Sequence, residues 1–319
     1  MRETTEGRLR LTILGGFLGS GKTTWLRHQL YEKSFGAVHV IVNEAADAPV
    51  DDALLRAADK MTLLAGACVC CDGQQDLQRV LLKLCDDRSS VSRSSSRLEN
   101  IVLETSGLAD PAAILSLIQG QPILVRQIVV AEIIVIVDAQ GALEQMQQET
   151  LSRKQIEAAD RLILTKTDLA DRHDTDRLRA TLRAIAPGAT QSAALFGSVI
   201  KLDDTAPDIQ PVALTELTAQ NTAPIQASQL DLGDRPDWTA FTVWLSALLY
   251  ARGDQIVRVK GVVRTPAGRL LLQTVRRSVQ SPEILPDTDV PVDTDNTIAV
   301  IGRGFTQAQL TVSLAQFSA

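Results

Sequence analysis

Apolar residues along this 319-residue chain gather in short, β-branched runs separated by stretches of helical period. The runs are Leu9 to Leu14, Ala37 to Val42, Met61 to Ala65, Ile101 to Leu103, Ile133 to Val137 and Leu162 to Leu164. Strands that are almost continuously apolar must be covered on both faces, so their alternation with helices predicts an α/β domain around a mostly parallel sheet. Ligands of such sheets sit beyond the carboxyl ends of the strands, which directs attention to the loops after each run. From Asp203 to Asp237 the chain turns to Thr, Ala, Pro, Gln and Asp without a strong period, a linker with one strand near Ile225. A smaller α+β domain is expected beyond it. Its helix is Trp238 to Ala251, its strands Gln255 to Thr265, Arg269 to Val279 and Thr297 to Gly302, and a last helix starts at about Gln307. The predicted division is a first domain over 1–203, a linker over 204–224 and a second domain over 225–319. The serine- and arginine-rich stretch Asp87 to Arg97 reads as a mobile surface loop.

The loop after the first run is the most informative. Gly16-Phe17-Leu18-Gly19-Ser20-Gly21-Lys22-Thr23 fits G-x-x-x-x-G-K-[ST] at every fixed position and leads into a helix-prone stretch, Thr24 to Glu32. Bare glycine backbone can wrap phosphates with its N–H groups, Lys22 can neutralise β/γ charge, and the Thr23 hydroxyl can ligate Mg²⁺. Gly19, Ser20, Gly21, Lys22 and Thr24 are the candidate phosphate contacts.

Two later loops refine the nucleotide. Glu104-Thr105-Ser106-Gly107 follows a buried strand, where an acid can hold a Mg²⁺ hydration shell or a water and the Gly107 amide can approach the γ-phosphate; a structural turn is the competing reading. Lys22, Glu104 and Gly107 are thus the candidate catalytic groups. Thr165-Lys166-Thr167-Asp168 is a variant of the guanine-reading N-K-x-D, with Thr165 in place of Asn. A carboxylate at Asp168 can accept from guanine N1–H and the exocyclic amine together, which favours GTP over ATP. Asp168 could alternatively cap a helix.

Three of the four cysteines crowd into Cys68-Val69-Cys70-Cys71, too tight for a secreted disulfide framework and suited to thiolate ligation of Zn²⁺ or another thiophilic metal in a reducing compartment. A buried thiol cluster and a redox site are the alternatives. Cys85 lies in an apolar run and reads as core, and His28, His39 and His173 read as structural. Further ligands would be carboxylates such as Glu44 or Asp47, a water or a partner's group. A net charge of −6 without a dense Lys/Arg block predicts neither nucleic-acid nor membrane partners. The acidic start of the chain, leading straight into the phosphate loop, points to the cytoplasm.

Together the phosphate loop, Cys68-x-Cys70-Cys71, Glu104-x-x-Gly107-Leu108-Ala109-Asp110-Pro111, Gln155 to Arg161, Thr165 to Asp168 and Arg258-Val259-Lys260-Gly261 resemble the CobW-type P-loop GTPases, over nearly the whole chain. The resemblance implies a cytoplasmic GTPase and metallochaperone, and since no residue stands out as an arginine finger its turnover is expected to be slow. Such a protein uses GTP, Mg²⁺ and hydrolysis to load or release a transition metal toward a client metalloprotein or metal-cofactor pathway enzyme, and many members form homo-oligomers. Asn43-Glu44-Ala45-Ala46-Asp47 lacks the aromatic and glycine that the family carries there, and Ala67 stands where glycine commonly precedes the first cysteine. The histidine-rich tract of many relatives is missing. Two further readings are a nucleotide-binding metal sensor or adaptor with little hydrolysis, and a P-loop kinase of a small molecule.

Overall fold

The computed structural model describes residues 7–43, 60–64, 73–90, 98–202, 209–214, 226–234, 236–253, 255–275, 277–285 and 295–317. The described residues form two compact units, one from Arg8 through 214 and the other from 226 onward, apart from Gly7.

In the larger unit the strands are β1 (Leu9–Gly16), β2 (Val38–Asn43), β3 (Lys60–Leu64), β4 (Asn100–Glu104), β5 (Ile128–Asp138), β6 (Arg161–Thr165), β7 (Thr190–Leu195) and β8 (Ser198–Ile200). They form one sheet in the order β3-β2-β4-β1-β5-β6-β7-β8, parallel throughout except for the last pair. Leu14 faces Trp25 and Leu26 of helix α1 (Lys22–Tyr31), while Leu9, Leu11 and Ile13 on the opposite pleat are equally buried. Both faces of the sheet are therefore covered, as the near-continuous apolar strands require. With β1 central, the loops after β1, β4, β5, β6 and β7 emerge along one edge. Among the described residues no helix is long and apolar enough to cross a membrane.

One expectation about the larger unit is corrected here. The helix Gln74–Ser90 runs through the first part of the stretch predicted as a mobile loop. Its apolar face of Leu77, Leu81, Leu84 and Cys85 is buried, and Arg88, only 6% exposed, donates to the Leu98 carbonyl at 2.8 Å. Packing of the preceding turns thus outweighs the polar composition; residues 91–97 lie outside the described ones. The linker stretch includes 209–214, where the Val212 N–H donates to Thr181 Oγ1 at 2.9 Å and so is tied to the helix Arg172–Ile185. Strands β7 and β8 have no counterpart in the apolar runs, because they are short, largely Thr, Gln, Ser and Ala, and half exposed.

The smaller unit comprises β9 (Gln226–Asp231), the helix Trp238–Arg252, β10 (Ile256–Thr265), β11 (Gly268–Val275), β12 (Ser278–Val279), β13 (Glu283–Leu285), β14 (Thr297–Gly302) and the helix Gln307–Ala315. Its antiparallel sheet runs β12-β11-β10-β14-β9, with β13 on β11. The long strand predicted from Arg269 to Val279 is instead a hairpin: the chain reverses after Val275, and Ser278 and Val279 pair back on Val275 and Thr274. The core is built from Phe241, Trp244, Leu245, Val259, Val263, Leu272, Ile298 and Val300. Trp244 is 1% exposed and its indole N–H donates to Ser313 Oγ at 3.1 Å, pinning the two helices together. Trp244→Ala should cost about 3–5 kcal/mol, read as a lowered midpoint in chemical denaturation followed by a probe in the smaller unit.

Candidate nucleotide site

The phosphate loop leaves β1 in a conformation that glycine alone tolerates. Gly16 has φ 136°, and a Cβ there would lie 2.5 Å from the Ile136 carbonyl oxygen on the neighbouring β5. Gly19 and Gly21 are also left-handed, at φ 74° and 92°. Gly21 occupies the N-cap of α1 with no side-chain cap and no acid in the first turn, whereas Asp110, Asp171, Asp237 and Thr306 cap their own helices with side-chain oxygens. The positive end of α1 is thus left open toward the loop, the arrangement that favours an anion.

Lys22 Nζ donates to the carbonyls of Gly16 and Phe17 at 3.0 and 3.1 Å, so its ammonium is folded back over the loop. Thr23 Oγ1 donates to Glu104 Oε1 at 2.6 Å. This contact joins the start of α1 to the end of β4 and puts a hydroxyl and a 4% exposed carboxylate side by side. A Cβ on Gly107 would fall 2.5 Å from the Leu18 backbone nitrogen, so the Glu104 loop lies directly against the phosphate loop. Lys22, Thr23, Glu104 and Gly107, predicted as one site, are brought together.

In the loop predicted to read the base, the Thr165 hydroxyl donates to the Ser20 carbonyl at 2.7 Å and approaches the Val137 carbonyl at 3.3 Å. Thr165 therefore ties β6 to the phosphate loop. Lys166 is left-handed at φ 55° and its ammonium pairs with Asp138 Oδ2 at 2.6 Å. Asp168 is exposed, and the following helix is capped by Asp171, whose Oδ1 accepts from the His173 N–H at 2.7 Å. The alternative of Asp168 as that helix's N-cap is thereby removed.

Two residues escaped the sequence reading. Gln155 is 1% exposed, and its side-chain amide donates to the carbonyls of Gly107 and Ala109 at 3.1 and 2.8 Å, clamping the Glu104 loop from the helix Thr150–Ala158. Asp138, at the end of β5, holds Lys166 and also accepts from the Gln140 N–H at 2.9 Å. Both lie far along the chain from what they hold. Gln155 falls inside the Gln155 to Arg161 motif, which was the signal available for it.

Cys68, Cys70 and Cys71, with Glu44 and Asp47, lie outside the described residues. Among the described residues no group of three His, Cys, Asp or Glu is placed to hold a metal. Cys85 is buried, and burial pushes its thiol up to about 11, so it stays protonated at neutral pH. His39 bonds Thr62 Oγ1 at 2.8 Å and burial, with nearby Lys60, lowers its pKa; His28 approaches Ser198 Oγ at 3.3 Å. His173 sits at the start of the helix Arg172–Ile185.

A glycine loop feeding an open helix, backed by a parallel sheet, with acid, hydroxyl and lysine side chains gathered around it, defines a P-loop nucleotide-binding α/β protein. The chain belongs to the CobW/HypB/UreG family: residues 10–192 match its nucleotide-binding domain, and residues 225–318 match the cobalamin synthesis protein cobW C-terminal domain. Zinc chaperone YjiA of Escherichia coli K12 is 32% identical over 281 residues, covering 84% of this chain and 86% of that protein. Zinc-regulated GTPase metalloprotein activator 1 of Schizosaccharomyces pombe is 28% identical over 191 residues, covering 57% and 45%. The solved Zn(II)-bound YjiA GTPase from E. coli has the same fold, with a TM-score of 0.58 at 24% identity over 97% of this chain and 99% of that one.

The contact between Gly107 and Leu18 makes a prediction. Gly107→Ala should force the two loops apart and weaken nucleotide binding about 5- to 150-fold, the equivalent of roughly 1–3 kcal/mol of overpacking. Gly120→Ala, whose Cβ would meet nothing closer than 3.4 Å, is the control expected to bind like the parent in isothermal titration calorimetry.

Proposed function

We propose that this chain is a GTPase that uses GTP with Mg²⁺ to load a transition metal, Zn²⁺ first and Co²⁺ as the alternative, for transfer to a client metalloprotein or metal-cofactor enzyme. The observation that carries the nucleotide part is the 2.6 Å contact between Thr23 Oγ1 and Glu104 Oε1, two oxygens that suit a hard cation, beside the phosphate loop. Mg²⁺ bound there would neutralise charge on the β- and γ-phosphate oxygens. Lys22, released from the Gly16 and Phe17 carbonyls, would do the same from the other side, and the N–H groups of Gly19 to Thr24 would hold the phosphates. Glu104 and Gly107 serve the hydrolytic end, where Gln155 keeps the loop in place. Asp168 and Lys166 read the base, and Thr165 supports that loop through the Ser20 carbonyl. The metal is cargo for Cys68, Cys70 and Cys71. The names of the relatives support zinc and GTP together.

Three measurements test this reading. The parent should release phosphate from GTP without any added acceptor, slowly, and Lys22→Ala or Thr23→Ala should abolish it; turnover that required a small-molecule acceptor would replace the GTPase by a kinase, and no turnover at all would leave an adaptor. Asp168→Ala should lower GTP affinity about a hundredfold by removing paired charge-assisted hydrogen bonds, with discrimination against ATP falling alongside. In the third, Co²⁺ should produce thiolate charge-transfer absorption that disappears in the Cys70→Ser, Cys71→Ser double variant and survives Cys85→Ser. Because thiolates must lose protons to bind, the cobalt affinity should fall as pH falls. Cobalt binding indifferent to the double variant would end the metal assignment.

A further inference from the structure

The turn between β7 and β8 places a bulky aromatic where the backbone is strained. Leu195 and Ser198 pair directly, leaving Phe196 and Gly197 as a two-residue loop. Both are left-handed, at φ 48° and 97°. Such turns take Asn-Gly or Asp-Gly by preference, and a bulky aromatic in the first position is an outlier. The Phe196 ring recovers nothing from burial, because the residue is 79% exposed. A strained, exposed aromatic points to a ligand.

Its position says which one. Strands β6 and β7 are parallel neighbours with Leu164 opposite Ala193, so Lys166 and Leu195 emerge level with each other. The Phe196 turn therefore leaves the sheet one strand spacing, about 4.8 Å, from the loop Lys166 to Asp168, on the same edge. It is also fixed against α1, the helix that begins at the phosphate loop. A Cβ on Gly197 would lie 2.2 Å from His28 Cβ, Gln29 Nε2 donates to the Gly197 carbonyl at 3.0 Å, and His28 Nε2 lies 3.3 Å from Ser198 Oγ. His28 follows Thr23 by about 8 Å of helix. The turn is thus a rigid wall, beside the base-reading loop, that ends in an unsupported aromatic ring.

We infer that Phe196 stacks on the face of the purine whose edge Asp168 reads. This rests on the proposal that the chain binds guanine nucleotides through the Lys166 to Asp168 loop, and supplies the contact that a carboxylate cannot. Hydrogen bonds to N1–H and the amine select guanine, whereas an aromatic plane holds any purine by its π-face.

The two contributions separate by nucleotide. Inosine triphosphate lacks the exocyclic amine and keeps the ring face. Phe196→Asn places a residue suited to the left-handed turn, so the nucleotide-free protein should melt at or above the parent's temperature. Its affinity should fall about five- to a hundredfold for GTP and inosine triphosphate alike, with their ratio unchanged. Phe196→Trp should retain both affinities and report binding by quenched indole emission. Asp168→Ala, in contrast, should collapse the ratio. If Phe196→Asn bound both nucleotides within twofold of the parent, the stacking would be overturned even with the guanine preference intact. If Asp168→Ala left the ratio untouched while Phe196→Asn weakened GTP, inosine triphosphate and ATP equally, the guanine reading would fail and the stacking would stand.

Discussion

The phosphate loop is held in shape by its neighbours rather than by itself. Gly16 is pressed against the Ile136 backbone, Leu18 against Gly107, and the Ser20 carbonyl against the Thr165 hydroxyl. Those three contacts come from β5, from the loop after β4 and from the end of β6, so the loop is clamped by the strands on both sides of β1. Its N–H groups gain from this. A loop that must already carry left-handed glycines would otherwise sample many conformations, and the entropy of fixing them would be charged against each nucleotide bound. Clamping moves that cost into folding, where the largely buried β1 offsets it.

The same clamp links the two ends of the nucleotide site. Thr165 reaches Ser20 only because β6 pairs with β5, and β5 with β1, in a register that leaves their carboxyl ends level. Lys166 follows immediately in a left-handed conformation, anchored by Asp138 from the next strand. Displacing the phosphate loop therefore also pulls on the loop assigned to the base. On the other side, Glu104 meets Thr23, and Gln155 fixes the two carbonyls that follow. The phosphate loop and the loops proposed to read the base and to serve hydrolysis are one hydrogen-bonded framework in which few members can move singly.

How much of this was legible in the chain depended on sequence distance. The phosphate loop, the buried strands and the order of the motifs are local patterns: apolar runs that must be buried, followed by residues with no Cβ or with an ionisable group. Asp138 was invisible because its partner is tens of residues away, and Gln155, although inside the Gln155 to Arg161 motif, gives no sign of the carbonyls it holds. The N-cap alternative for Asp168 depended on where a helix starts, and Asp171 offered the same chemistry three residues later. The composition of the Ser/Arg stretch hides the helix that runs into it, and β-propensity does not mark the reversal after Val275. Phe196 was overlooked since an aromatic beside a glycine in a weakly β-forming stretch looks like nothing until its φ is known.

The sheet order constrains any coupling between metal and nucleotide. The cysteine motif follows β3, which lies two spacings, about 10 Å, from β4 and Glu104. Direct electrostatics between the proposed metal and the nucleotide is one route of coupling. Its sign is wrong for cooperative loading. A dication bound by three thiolates carries a net negative charge, and the γ-phosphate adds another, so the two would repel. If GTP is to strengthen metal binding, the coupling must come from a segment that both ligands order. The segment beginning at Glu44 is the candidate with the right origin, for it leaves β2, whose Val42 pairs with Glu104 on one side and whose Asn43 pairs with Leu64 on the other. Its carboxylates Glu44 and Asp47 can serve a cation but not a phosphate. An ordering device of this kind also works in reverse, because a metal that organises the segment must tighten the nucleotide by the same factor. Loss of the γ-phosphate would then loosen the metal without any group having to push it out.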